Sequence, residues 1–391
     1  MSELDEFRAA TRRWIDANCP PSLRGRAGEP YAGGRRQSEA ADARLWFDRC
    51  FERGFTVPDW PRRYGGGGLD AARTRVLRDE LARAGAPAPL GGMGVSMIGP
   101  TLLEHGSDEQ KLRHLPKIAS GEVRWCQGYS EPGAGSDLAN LATRAVDEGD
   151  YYRVTGSKIW TSGANYADWI FCLVRTDPDA PKHEGISFLL FAMDSPGVEV
   201  RPIKLISGQS PFCECFFTDV RVPKADLVGL PNRGWTIAKR LLQHERSSIS
   251  GLRGAPMRVG ADVRDVARRY CGTRAGRIAD AAFRERVATI EIDGRALALT
   301  QRRAREENSG GTPTFATSMF KYYASELGKR RAELALAMMG SRALGWEGRA
   351  FTDEERDATR MWLRGKASTI AGGTSEVQLN IIAKRVLALP D

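Results

Sequence analysis

Four short stretches of this chain carry residue types whose spacing could do chemistry. In "WCQGYSEPGAGSD" (125–137), small residues cluster at Gly133, Ala134, Gly135 and Ser136 behind Pro132. Such a loop lets backbone N–H groups and hydroxyls approach a flat or anionic ligand, and it reads equally as a plain turn. In "KIWTSG" (158–163), Trp160 beside Thr161 and Ser162 could cover an aromatic ring system and hydrogen-bond its edge. In isolation the simpler reading is a core or sheet-surface tryptophan. In "LLQHERSSISGL" (241–252), Glu245 falls on an apolar helical face with Ala238, Leu241, Leu242, Ile249 and Leu252. A desolvated carboxylate has a raised pKa, which suits a base working near neutrality. The alternative is a glutamate at the edge of that face, paired with an arginine such as Arg246. Finally, "STIAGGTSEVQ" (368–378) offers a Gly-Gly-Thr-Ser-Glu turn suited to close ligand approach, yet Gly372 brings no side chain to it.

The elements that must position these stretches follow from periodicity. Residues 1–122 read as helical: "LDEFRAATRRWIDAN" spaces its apolar residues by three and four, and Ser107 is a candidate N-cap for "SDEQKLRHLPKIASG". Pro- and Gly-rich breaks separate these helices, notably "WPRRYGGGG" at 60–68. Over 123–227 the pattern changes to short runs rich in Val, Ile, Phe and Tyr, the signal of antiparallel strands. From 228 to 391 the helical period returns in long segments, which a four-helix bundle would bury. The expected class is α+β: an N-terminal helical domain, a middle antiparallel β-barrel-like domain and a C-terminal four-helix bundle.

Composition narrows the function classes. The chain has 391 residues, is 41% hydrophobic and 27% charged, and carries a net charge of +9. That charge is spread along the chain without a basic, aromatic-rich segment, so nucleic acid is not an expected partner. Attraction of a phosphate-bearing small molecule fits as well as nucleic acid does, though charge alone favours a simple solvated basic surface. No apolar run approaches the roughly 18 residues that span a bilayer, and "MSELDEFRAATRRWID" has no signal-peptide core. Seven cysteines, Cys213 and Cys215 in a C-x-C and the rest scattered, read as free thiols in a reducing cytoplasm, and four isolated histidines argue against a His-rich metal site.

Taken together, "EPGAGSD", "KIWTSG" and "GGTSEVQ", in this order and preceded by "WPRRYGGGG" and "EHGSDEQKLRHLPKIASGE", closely resemble the acyl-CoA dehydrogenase family of flavoproteins. The resemblance spans nearly the whole chain. It implies FAD lined by Gln127, Tyr129, Ser130, Gly135 and Ser136, with Trp160, Thr161 and Ser162 packed behind the ring. Thr374, Ser375 and Glu376 would contact FAD, and Ser136, Arg246 and Gly373 would contact the substrate. It also implies an acyl-CoA thioester as substrate and an electron-transferring flavoprotein as acceptor.

The chain departs from the family pattern twice. Many members carry the catalytic glutamate where Gly372 stands. A subgroup places it on the first long helix after the β domain, just before an arginine, which here is Glu245 followed by Arg246. Many members also have R-x-x-F-G and Q-x-x-G-G-x-G segments reaching a neighbour's FAD. Here "RRYCGTR" (268–274) and "MMGSRALGW" (338–346) fit neither. An α2β2 heterotetramer with a paralogous subunit, as in bacterial large-subunit members, and a homotetramer with different contacts are both open. The expected reaction is α,β-desaturation with Glu245 as general base. A same-fold oxidase or monooxygenase using O₂, and a non-catalytic partner subunit, are the alternatives.

Overall fold

The computed structural model describes residues 2–25, 31, 33–34, 41–249, 262–307 and 316–390, and of residues 245–249, 305 and 316 only the backbone. The chain forms two compact units, Met1–Ile203 with Pro211–Leu241, and Lys204–Ser210 with Leu242–Asp391.

The first unit opens with helices that the capping chemistry of the sequence starts cleanly. Helix α1 (Glu3–Asn18) begins at a Ser2/Asp5 capping box. Helix α2 (Ala41–Glu52) and α3 (Ala71–Arg83, capped by Asp70) pack on it around Ile15, Trp46, Cys50 and Leu77. One charge is built into this contact. Glu80, 1% exposed, takes hydrogen bonds from Arg12 (2.9 and 3.0 Å), Arg83 (2.6 Å) and Arg8 (3.2 Å). Arg12 foremost, then Arg83 and Arg8, hold its carboxyl at about 2 against the opposing effect of burial. The 60–68 turn needs its glycines, since a Cβ at Gly66 would run into the carbonyl of Trp60.

Helices α4 (Gly99–His105) and α5 (Asp108–Ala119) follow, and Ser107 is the N-cap that the sequence predicts, in a capping box with Gln110. The same Gln110 donates Nε2 to the carbonyls of Ala225 and Leu227, at 2.8 Å each, and so ties α5 to the chain leaving the sheet.

The middle strands are β1 (Trp125–Gly128), β2 (Arg144–Asp147), β3 (Tyr151–Ser162), β4 (Trp169–Arg175), β5 (Ile186–Ala192), β6 (Val198–Ile203) and β7 (Phe212–Pro223). They form one curled sheet in the order β1-β4-β2-β3-β7-β6, with β5 also on β4. The antiparallel pairings expected from the sequence run through β2–β3, β3–β7, β4–β5 and β6–β7. Two pairings, β1–β4 and β2–β4, are parallel, which alternation within a strand cannot reveal. Strands β4 and β5 are buried along nearly their whole length, whereas β6 alternates at an edge.

Helix α6 (Gly234–Ile249) leads out of the sheet. The second unit contains α7 (Val263–Tyr270), a two-stranded hairpin of β8 (Thr273–Arg274) and β9 (Arg277–Ile278), the long α8 (Ala281–Glu307) and α9 (Ala316–Met339), α10 (Asp353–Gly365) and α11 (Ser375–Ile381). Val266, Val287, Ile290, Leu327, Leu334 and Met338 make its core, with α9 at the centre. No helix among the described residues is long and apolar enough to cross a membrane. The seven cysteines carry free thiols, and six of them are buried.

Candidate functional site

Three of the four chemical stretches fall on described residues with side chains. In the first unit, Gln127 lies on β1, and the loop after it carries Tyr129, Ser130, Gly135 and Ser136. Tyr129 is buried against Phe171 and Phe188, edge-on to both rings, while Ser130 is half-buried and Gly135 and Ser136 are exposed. A Cβ at Gly133 or Gly135 would meet nothing within 4 Å, so the loop borders open space.

The end of β3 meets this loop. The Ile159 N–H donates to the Ser130 carbonyl at 2.8 Å. Along β3 the inward residues are Tyr152, Val154 and Lys158, an even-numbered stripe that would take Trp160 into the core. The register slips between Lys158 and Thr161, and Trp160 sits at φ 62°. The bulge therefore buries Thr161 instead and turns Trp160 outward, 53% exposed, edge-on to Phe212 at 6.2 Å between ring centroids. A bulky residue in the left-handed region costs roughly 1–3 kcal/mol and marks a site where something other than packing sets the backbone. Ser162, half-buried, ends the strand.

The sequence reading missed the pair that joins the two stretches. Lys158, 0% exposed, donates Nζ to a Glu131 carboxylate oxygen at 2.7 Å and to the Tyr129 carbonyl at 3.1 Å. Glu131 in turn accepts the N–H groups of Ala142 (2.6 Å) and Thr143 (2.9 Å). The available signal was a lysine on the inward stripe of a strand, a position that demands a partner.

In the second unit, Gly372 (φ 65°) and Gly373 (φ 91°) form a left-handed turn. Its carbonyls are held from inside the protein. Gln378, 0% exposed, donates Nε2 to Gly372 O (3.2 Å) and Gly373 O (3.4 Å), and buried Lys321 donates to Gly373 O at 2.7 Å. Thr374 caps α11 by accepting the Val377 N–H at 3.2 Å, buried Ser375 donates to Glu326 at 3.2 Å, and Glu376 is exposed. Hydrogen bonds from its own N–H and from Thr374 keep the Glu376 carboxyl below its usual value.

Glu245 and Arg246 belong to α6 by backbone, and their side chains lie outside the described residues. The turns of α6 before them bury Ile237, Ala238, Leu241 and His244. Of the two segments that break the family pattern, "RRYCGTR" runs from α7 into the β8–β9 hairpin. In "MMGSRALGW", Arg342 is committed within its own unit. It bonds Glu355 at 2.7 and 2.5 Å and the Ala350 carbonyl at 2.7 Å, with Tyr270 also on Glu355 at 3.0 Å.

Comparison with known proteins covers the chain end to end. Family models described as the N-terminal, middle and C-terminal domains of acyl-CoA dehydrogenase match residues 1–122, 126–220 and 232–387. Acyl-CoA dehydrogenase IpdE1 of Mycolicibacterium smegmatis is 36% identical over 100% of this chain and 99% of its own. Acyl-CoA dehydrogenase FadE26 of Mycobacterium tuberculosis is 35% identical over 86% of this chain and 85% of its own. Among solved structures, the Tcur3481-Tcur3483 steroid ACAD superposes with a TM-score of 0.79 at 33% identity, covering 99% of this chain and 97% of that one. The ChsE4-ChsE5 complex from Mycobacterium tuberculosis gives 0.74 at 31%, covering 100% and 98%.

Proposed function

The chain belongs to the acyl-CoA dehydrogenase family of oxidoreductases, and on that premise we propose that it binds FAD and desaturates a steroid-derived acyl-CoA, with Glu245 as the base. One observation carries the cofactor reading: Trp160 is turned out of its sheet at the cost of a left-handed backbone, immediately beside Ser130. An exposed indole, the hydroxyls of Ser130 and Ser162, and the open space along Gly133 and Gly135 fit a flat heteroaromatic ring. We read the domains as 1–122, 123–227 and 228–391, with Gln127, Tyr129, Ser130, Gly135, Ser136, Trp160, Thr161, Ser162, Thr374, Ser375 and Glu376 on FAD.

The chemistry that FAD supplies when bound is acceptance of the hydride leaving the substrate's β-carbon. The chain's own residues do the rest. Glu245 takes the α-proton as general base. The Gly372–Gly373 backbone N–H groups steady the thioester oxygen as charge gathers there, and the absence of a side chain at 372 leaves that donor intact. Ser136, Arg246 and Gly373 hold the substrate. Two of the similar solved structures are titled as pairs of proteins, one of them a steroid ACAD. Those titles support the steroid-derived acyl group and a paralogous subunit. An electron-transferring flavoprotein in the cytoplasm is the proposed electron acceptor.

The test is anaerobic bleaching of the flavin with a panel of acyl-CoAs, short, long, dicarboxylic and steroid-derived. The steroid-derived member should bleach fastest, and equal rates across the panel would overturn that choice. Glu245→Gln should lower the bleaching rate by about 10²–10⁴-fold with FAD still bound; a near-normal rate rejects Glu245 as the base.

A further inference from the structure

Glu131 and Lys158 form an ion pair enclosed by the sheet, and neither has been given a part in the reaction. Two opposite charges in such a place are a poor stability device. Their desolvation is costly, and apolar residues of the same volume serve folding as well or better. What the pair does accomplish is geometric. Its hydrogen bonds gather three separate segments: 129–131, 142–143 and 158. Thr143 adds a bond from Oγ1 to the Ser157 carbonyl at 3.1 Å, one residue before the lysine.

The Ser130 backbone is the element most constrained by this arrangement. The Tyr129 carbonyl is fixed on the Lys158 ammonium. The peptide plane is rigid and trans, so the Ser130 N–H is turned to the opposite side. The Ser130 carbonyl is fixed on the Ile159 N–H, and the Glu131 backbone N–H and carbonyl close a turn with Ala134 at 3.1 and 3.0 Å. Residues 158 and 159 thus clamp the peptides on both sides of Ser130, and the next residue is the outturned Trp160.

We propose that Glu131 and Lys158 are positioning residues, which set the Ser130 loop and the Trp160 bulge in one fixed relation so that both meet the same ring. The inference rests on the reading of this face as the flavin's. Electrostatics agree with it. Burial alone would raise the Glu131 carboxyl, but the Lys158 charge and hydrogen bond, with the bonds from Thr143 and Ala142, hold it below its usual value. Without the lysine, burial would push that carboxyl upward.

The test uses the FAD-loaded protein, with its partner subunit wherever FAD is retained only in the complex. Three variants are compared with wild type by circular dichroism, FAD affinity and the visible flavin spectrum, from pH 5.5 to 8.5. Lys158→Met and Glu131→Gln each leave one buried charge alone. The double variant leaves none, so it keeps the question answerable if a single variant does not fold. The expected result is a folded double variant whose FAD affinity falls about tenfold or more, equivalent to losing one good hydrogen bond, with an altered flavin spectrum. Lys158→Met and Glu131→Gln, each with one charge that burial disfavours, should both add a pH dependence of FAD affinity that the double variant lacks. A folded double variant with wild-type affinity and spectrum overturns the proposal. A wild-type protein that takes up no FAD in any assembly instead removes the flavin reading, and the positioning role with it.

Discussion

Single residues here do work that their types alone do not announce. Trp160 is the clearest case. Its motif could be read off the chain, but the bulge that brings it to the surface could not, because alternation predicts an inward side chain at that position. Lys158 was legible only as a misfit on the buried stripe. Glu245 is proposed from its helical face and the family pattern, both of which operate on sequence, and its side chain lies outside the described residues. Gly373 yields a prediction of its own. A Cβ there would stand 2.5 Å from Gln378 Nε2, on a backbone at φ 91°. Gln378 would have to leave the two carbonyls it holds. Gly373→Ala should therefore destabilise the protein by roughly 1–3 kcal/mol, read as a lower midpoint in urea unfolding. An unchanged midpoint would mean the turn is more compliant than its hydrogen bonds suggest.

At the scale of elements, helix starts were the most readable feature, because an N-cap is a local bargain between one side chain and one backbone N–H. Ser107 and Gln110 illustrate this, and Gln110 shows the limit as well, since its bonds to Ala225 and Leu227 span more than a hundred residues. The two parallel pairings of β4 were out of reach for the same reason: they depend on which strands meet, not on what each strand is. The α1–α3 contact carries a pH prediction. Glu80 has a folded pKa of about 2, below its unfolded value near 4.5. A depressed pKa gives stability that is present above the unfolded value and lost as pH falls toward the folded one. Glu80→Gln should flatten the loss of stability between about pH 4.5 and 2 and lower stability at pH 7 by roughly 1–3 kcal/mol. Parallel acid-unfolding curves for variant and wild type would contradict this.

At the scale of the molecule, the sequence conveyed the order helices, strands, helices, and its motifs conveyed the family; whether the chain completes a flavin site unaided is a matter for assembly. Because "RRYCGTR" and "MMGSRALGW" depart from the segments that reach a neighbour's FAD, we expect the chain purified alone to hold well under one FAD per polypeptide, and the full complement to appear with a paralogous subunit. Absorbance at saturating FAD measures this, and a full complement on the lone chain would favour the homotetramer. The way the backbone is shared has a consequence for any attempt to divide the protein. The polypeptide leaves the first unit at Ile203, returns at Pro211 and leaves again at Leu241. No single cut yields either half whole: removing everything after the sheet strands the 204–210 tip without its companions, and a fragment beginning at α6 lacks that tip altogether. The halves are laced like a stitch that passes back through the cloth, so truncation is a poor instrument here, and point substitutions in the intact chain are the proper one.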